Sequence, residues 1–112
     1  MALFCNGVSG GQIIAGDGTP EFILINRTGF PIWFLFVKQH GVDYWSGDIL
    51  NGVLGDDAST KVKLNSKSCS WDIQIKYFGG DSATWDNVNI CSINVMTVTW
   101  NSDNNVYTAK WQ

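Results

Sequence analysis

The stretch "SWDIQIKYFGG", Ser70 to Gly80, decides the fold. Trp71, Ile73, Ile75 and Tyr77 fall on one side of an extended chain, and Asp72, Gln74 and Lys76 fall on the other. This period of two describes a strand with one face on a core and one face in water. Gly79 and Gly80 then end the run at a turn.

The same pattern spreads outward from this strand. Upstream, "STKVKLN" alternates with Val62 and Leu64 inward and Lys61 and Lys63 outward. Downstream, "ATWDNVNI", "SINVMTVTW" and "VYTAKW" read as strands, the last two joined by the turn "NSDNN". Further back, "EFILIN" and "PIWFLFVK" flank the turn "RTGFP". The second of these is apolar on both sides, with Ile32, Phe34 and Phe36 on one and Trp33, Leu35 and Val37 on the other. Such a strand is either covered twice or offers one face to a partner. Asn51-Gly52 favours a tight turn. No segment carries a helical period with caps. The expectation is a single antiparallel β-sandwich of seven to eight strands over residues 21–112. Residues 1–20 read as a glycine-rich N-terminal arm, in which "QII" would make a short edge strand.

Composition narrows the function classes. At 112 residues, with 45% hydrophobic and 15% charged side chains, the chain builds one core and is not a disordered polypeptide. The net charge of −3 and the scattered lysines argue against nucleic acid, whose phosphates require grouped cations. No apolar run approaches the ~20 residues of a membrane span. The first residues lack a basic region ahead of an apolar one, so either the protein stays inside the cell or a start Met replaces a removed leader. The expectation is a secreted or cell-surface location, with the leader absent from this chain. Cys69 and Cys91 flank two strands, a spacing that suits a sheet-to-sheet disulfide and equally two buried thiols. Cys5 is left over, free or intermolecular.

Between residues 23 and about 100 the chain resembles a family of small, mostly bacterial proteins without an established activity. The residues that carry the likeness are Asn26, Thr28 and Gly29 of an Asn-x-Thr-Gly turn, Gly41, and Trp45, Asp48 and Ile49-Leu50. They continue with Cys69 before Trp71-Asp72, the Gly80-Asp81 turn, and Trp85, Val88, Asn89 and Cys91. Ser46 stands where that family usually has Gly. The resemblance implies a compact, often exported β-domain.

Several constellations suggest chemistry. "GVSGG", Gly7 to Gly11, matches Gly-x-Ser-x-Gly by letter, but Ser9 lacks the strand-turn-helix that a nucleophile elbow needs. His40 is the single histidine and reads as an exposed loop residue. The aspartates form no evident carboxylate pair. "DDAST" and "NNVYT" resemble the calcium-binding turn of βγ-crystallins, which makes Asp56, Asp57, Thr60, Asn104, Asn105 and Thr108 candidate Ca2+ ligands. Lys61 and Ala109 replace the final Ser of that pattern. The asparagine of "NRT", Asn26, is a glycosylation acceptor by letter.

Six tryptophans are many for this length. Trp33 and Trp71 lie mid-strand and are core candidates. Trp45 lies in the polar loop "HGVDYWSGDIL" with Asp43, Tyr44 and Asp48. Aromatic faces stack on sugar C–H surfaces while carboxylates accept hydroxyl hydrogen bonds, so this loop is the expected ligand site. The alternative for Trp45 is a plug over the end of the sandwich. The sequence therefore suggests a non-catalytic binding module for a glycan or other cell-surface ligand, aided by Ca2+. The rival readings are a self-assembling homo-oligomer that adds its N-terminal arm to a neighbour's sheet, and a small calcium-binding domain.

Overall fold

The computed structural model describes residues 18–112. The expectations for Cys5, Ser9 and "QII" lie outside the described residues, as does most of the N-terminal arm. The described chain forms seven strands: β1 (Glu21–Arg27), β2 (Ile32–Gln39), β3 (Ser59–Lys63), β4 (Ser70–Tyr77), β5 (Ser82–Asn89), β6 (Val95–Asn101) and β7 (Val106–Trp111). A short 3-10 turn, Ile90–Ser92, joins β5 to β6. Among the described residues no helix is long and apolar enough to cross a membrane.

The strands make two sheets, β3-β1-β6-β7 and β2-β4-β5. Their apolar faces meet in one core, a sandwich-like arrangement. Phe22, Leu24, Met96 and Val98 come from the first sheet, and Leu35, Val37, Trp71, Ile73 and Ile75 from the second. β4 is central in its sheet and keeps the alternation of its sequence, burying Trp71, Ile73, Ile75 and Tyr77.

Four features depart from the sequence-based expectation. First, the sheets are not purely antiparallel, because β1 and β6 run parallel, with Leu24 beside Met96. Alternation reports which face is buried and carries no information about a neighbour's direction.

Second, β2 does not keep one register. Ile32 pairs with Tyr77 and Phe34 with Lys76, so Trp33 is the extra residue of a bulge. Ile32 therefore joins Leu35 and Val37 in the core, while Trp33 and Phe34 are exposed. Trp33 is not a core residue, whereas Trp71 is buried as expected.

Third, Asp72 is on the outer face yet only 3% exposed. It stands opposite Lys38 in the β2–β4 register, and the Lys38 ammonium lies 2.8 Å from its carboxylate. His40 Nδ1 is 2.9 Å away. A second bulge sets Asp72 opposite Asp86 and Asn87, where Asn87 adopts φ 54° and donates its N–H to Asp72 Oδ1 at 2.8 Å. Burial alone would raise the carboxyl pKa. Lys38, the Asn87 N–H and His40 outweigh it and hold the group at about 2.

Fourth, Cys69 and Cys91 are bonded, but not across the sheets. They close the open end of the β4–β5 hairpin, where the Ile90 N–H also donates to the Cys69 carbonyl at 2.8 Å.

The Asn-x-Thr-Gly turn has a clear physical role. Asn26 is fully buried, and its Nδ2 lies within 3.1 Å of the carbonyls of Phe30, Leu54 and Gly55. Its Oδ1 accepts from the Thr28 N–H and lies 2.8 Å from the Thr28 hydroxyl. Gly29 supplies the left-handed φ of 86° that reverses the chain. With Nδ2 engaged in the interior, the sequon is closed to a glycosyl group in the folded chain.

Candidate functional site

The loop after β2 runs back along that strand's open edge. The Ser46 N–H donates to the Val37 carbonyl at 2.8 Å, and Ser46 Oγ accepts from the Val37 N–H at 3.0 Å. The Ile49 N–H donates to the Leu35 carbonyl at 2.9 Å. Asp48 Oδ1 accepts from the N–H groups of Leu35 and Leu50, both at 3.0 Å. Further along, Leu54 and Ile32 exchange two backbone hydrogen bonds of 2.9 Å. Residues 46–54 thus satisfy backbone groups that an edge strand would leave open.

Of the four residues expected to bind a ligand, Asp48 spends its Oδ1 on the backbone. Asp43 is exposed, and Tyr44 is 76% exposed with its ring in solvent. Trp45 is half-buried with the Lys38 ammonium 5.4 Å from its ring. A depression of about 240 Å3 remains there, walled by Tyr44, Trp45, Asn65 and Trp71.

The candidate calcium ligands are not brought together. Asp56 Oδ1 accepts from the Gly29 N–H at 2.8 Å, and Asp57 holds a left-handed φ of 65° in the same turn. Thr60 is in β3, and Thr108 in β7 pairs its hydroxyl with Thr99 at 2.7 Å. β3 and β7 are opposite edges of one sheet with β1 and β6 between them, so the two sets stand about 14 Å apart by strand spacing. Asn104 and Asn105 occupy the β6–β7 turn. Among the described residues no group of three or more His, Cys, Asp or Glu side chains is placed to hold a metal ion.

At the far end of the β2-β4-β5 sheet, the sandwich opens into a cleft of about 410 Å3. Three connections build it. The β1–β2 turn supplies Phe30 and Pro31, with Trp33 pushed outward by the β2 bulge. The end of β4 and the turn after it supply Tyr77, Phe78 and Asp81. The β6–β7 hairpin supplies Trp100 and Tyr107.

The rings form two walls. Trp33 and Phe78 lie 5.0 Å apart with planes tilted by 39°. In a second group, Trp100 meets Tyr107 at 4.6 Å and 54°, and meets Phe30 edge-on at 6.4 Å and 86°. Tyr77, a buried lining residue, stacks on Tyr107 at 4.2 Å. The Tyr77 hydroxyl is buried and has no hydrogen-bond partner among the described residues. Burial, with Tyr107 beside it, pushes that hydroxyl's pKa well above its usual value. Burial and then the Asp81 charge push Tyr107 up as well.

Among the described residues Asp81 is the one charged side chain lining the cleft, and no lysine or arginine lines it. Its backbone is fixed because the Tyr77 N–H donates to its carbonyl at 2.9 Å. A groove of about 390 Å3 continues from Asp81, Trp100 and Tyr107 past Ser82, Thr84 and Asn105. Another depression, of about 500 Å3, lies where Trp85 meets Trp111 edge-on, but both indoles are packed against the core.

The aromatic cleft was not anticipated from the sequence. Its available signal was two large apolar residues in turns, Phe30 after Gly29 and Phe78 before Gly79. Phe78 is 74% exposed and Phe30 is exposed as well.

No protein-family model matches the chain, and no curated protein matches it. Among solved structures, the chain is similar to one described as the NMR structure of the protein from Eubacterium rectale. The TM-score is 0.60 at 19% identity, over 87% of this chain and 93% of that one. That likeness is one of fold.

Proposed function

We propose that the chain is a non-catalytic binding module whose ligand, a glycan or another cell-surface molecule, seats in the aromatic cleft. The observation that carries this reading is that two ring pairs, Trp33–Phe78 and Trp100–Tyr107, line one open cleft. Solvent-facing aromatic surface has a standing cost in water that a bound apolar face relieves. The walls stand on strand ends and tight turns, so the site is largely pre-formed. The adjoining groove with Ser82, Thr84 and Asn105 offers hydroxyl and amide partners to a ligand that extends beyond the cleft. Trp45 and Asp48 belong, on this reading, to the cover of the β2 edge.

The test is an array of cell-surface glycans probed with wild type, Trp33→Ala and Trp45→Ala. Binding that disappears in Trp33→Ala and survives in Trp45→Ala is the expected result. Binding that survives Trp33→Ala, or that is lost only with Trp45→Ala, overturns the choice of site.

Self-association is a second reading, favoured by the outer face of β2. There Trp33 and Phe34 are exposed, and Phe34 stacks on Phe36 at 6.1 Å. A monomer in size-exclusion chromatography at high concentration would remove it.

A further inference from the structure

The arrangement of rings and charge in the cleft discriminates between ligand classes. A sugar ring, puckered as it is, lays one C–H face on a single aromatic platform and asks for several hydrogen-bonding groups around its rim. Here the rings stand at angles of 39°, 54° and 86° to their neighbours, which makes a corner with several walls. The side chains inside are almost wholly aromatic, with one carboxylate among them.

We infer that the cleft receives a methylated ammonium group, quaternary or trimethylated, with Asp81 as its counter-charge. The inference rests on the cleft being the ligand seat. Methyl groups on nitrogen are apolar at their surface yet share a full positive charge, so they fit against several ring faces at once. An aromatic face carries negative charge density that attracts such a cation. A primary ammonium is less suited, because it would surrender strong hydration on three N–H groups to a lining that offers one carboxylate among aromatic rings.

Asp81 completes the match. It is exposed, and its carboxylate has no hydrogen bond or ion pair among the described residues. Its charge is therefore available at the edge of the cleft. The chain's net charge of −3 adds a weak attraction for any cation. The cleft of about 410 Å3 exceeds the size of the headgroup, which leaves room for the start of the chain that bears it.

Calorimetric titration with choline tests this, set beside the uncharged isostere in which a tert-butyl group replaces trimethylammonium. Wild type, Trp33→Ala and Asp81→Asn are compared. Asp81 and Trp33 are both exposed, so neither change threatens the fold. Choline is expected to bind more tightly than the isostere, with affinity reduced roughly tenfold by each substitution. Equal binding of choline and isostere, or choline binding untouched by Asp81→Asn, overturns the ammonium assignment and leaves the cleft standing. Choline binding untouched by Trp33→Ala overturns the cleft as the seat. No choline binding at all overturns the ammonium assignment, and the glycan array then decides the cleft alone.

Discussion

Asp48 Oδ1 lies 3.0 Å from the backbone nitrogen of Leu35, and this contact closes the edge of β2 from the side. The same oxygen holds the Leu50 N–H, so one carboxylate fastens both the strand and the loop that covers it. Asp48→Ala leaves the partly buried Leu35 N–H without a partner. It should cost roughly 1–3 kcal/mol, read as a lower urea midpoint. Because an opened edge is a template for strand pairing, the variant should also scatter more light on concentration. Unchanged stability would remove Asp48 from this role.

Asp72 predicts an acid transition. Its carboxyl titrates at about 2 in the folded chain against 3.8 ordinarily, so the folded state favours the charged form. The resulting stabilisation is present above about pH 4 and is lost as the pH falls from about 4 to about 2, amounting to about 2 kcal/mol. Asp72→Asn should be less stable than wild type at pH 6, and the gap should narrow by about that amount at pH 2. Parallel melting curves for the two proteins across that range would contradict the assignment.

The β4 strand was legible because nothing disturbs its alternation on the core side. β2 was not, because an inserted Trp33 shifts every later residue to the other face, and a bulge leaves no mark on composition. Burial of Asp72 was hidden for a related reason. Its partners come from β2 and from the bulged Asn87, and only strand pairing brings them together. The cleft draws Phe30, Trp33, Phe78, Trp100 and Tyr107 from three separate connections. A linear reading meets each as an isolated aromatic. Trp45, by contrast, sat beside Tyr44 and two aspartates in sequence, and that local crowding drew attention to a segment whose hydrogen bonds serve the β2 edge.

The Cys69–Cys91 disulfide closes a separation of 22 residues. Replacing both cysteines by alanine should lower stability by about 3 kcal/mol on the chain-entropy estimate. The β4–β5 hairpin end should lose amide protection first in hydrogen exchange. Equal unfolding midpoints under oxidising and reducing conditions would show that the bridge contributes nothing.

Tyr77 offers the opposite kind of change. Its buried hydroxyl has no partner among the described residues, so Tyr77→Phe removes a polar group that gains nothing from burial. The variant should be as stable as wild type or more stable by up to ~1 kcal/mol. A loss beyond ~1 kcal/mol in thermal melting would show that the hydroxyl has a partner in solution.

The central claim is that ligands enter between the Trp33 and Trp100 walls and not at the Trp45 loop. The most direct measurement is an NMR titration that follows the indole N–H signals of all six tryptophans. Choline and methyl glycosides serve as probes. A ligand seated in the cleft moves the Trp33 and Trp100 signals saturably and leaves Trp45, near the opposite end of the β2-β4-β5 sheet, in place. Saturable movement of Trp45 with Trp33 and Trp100 unmoved would contradict it.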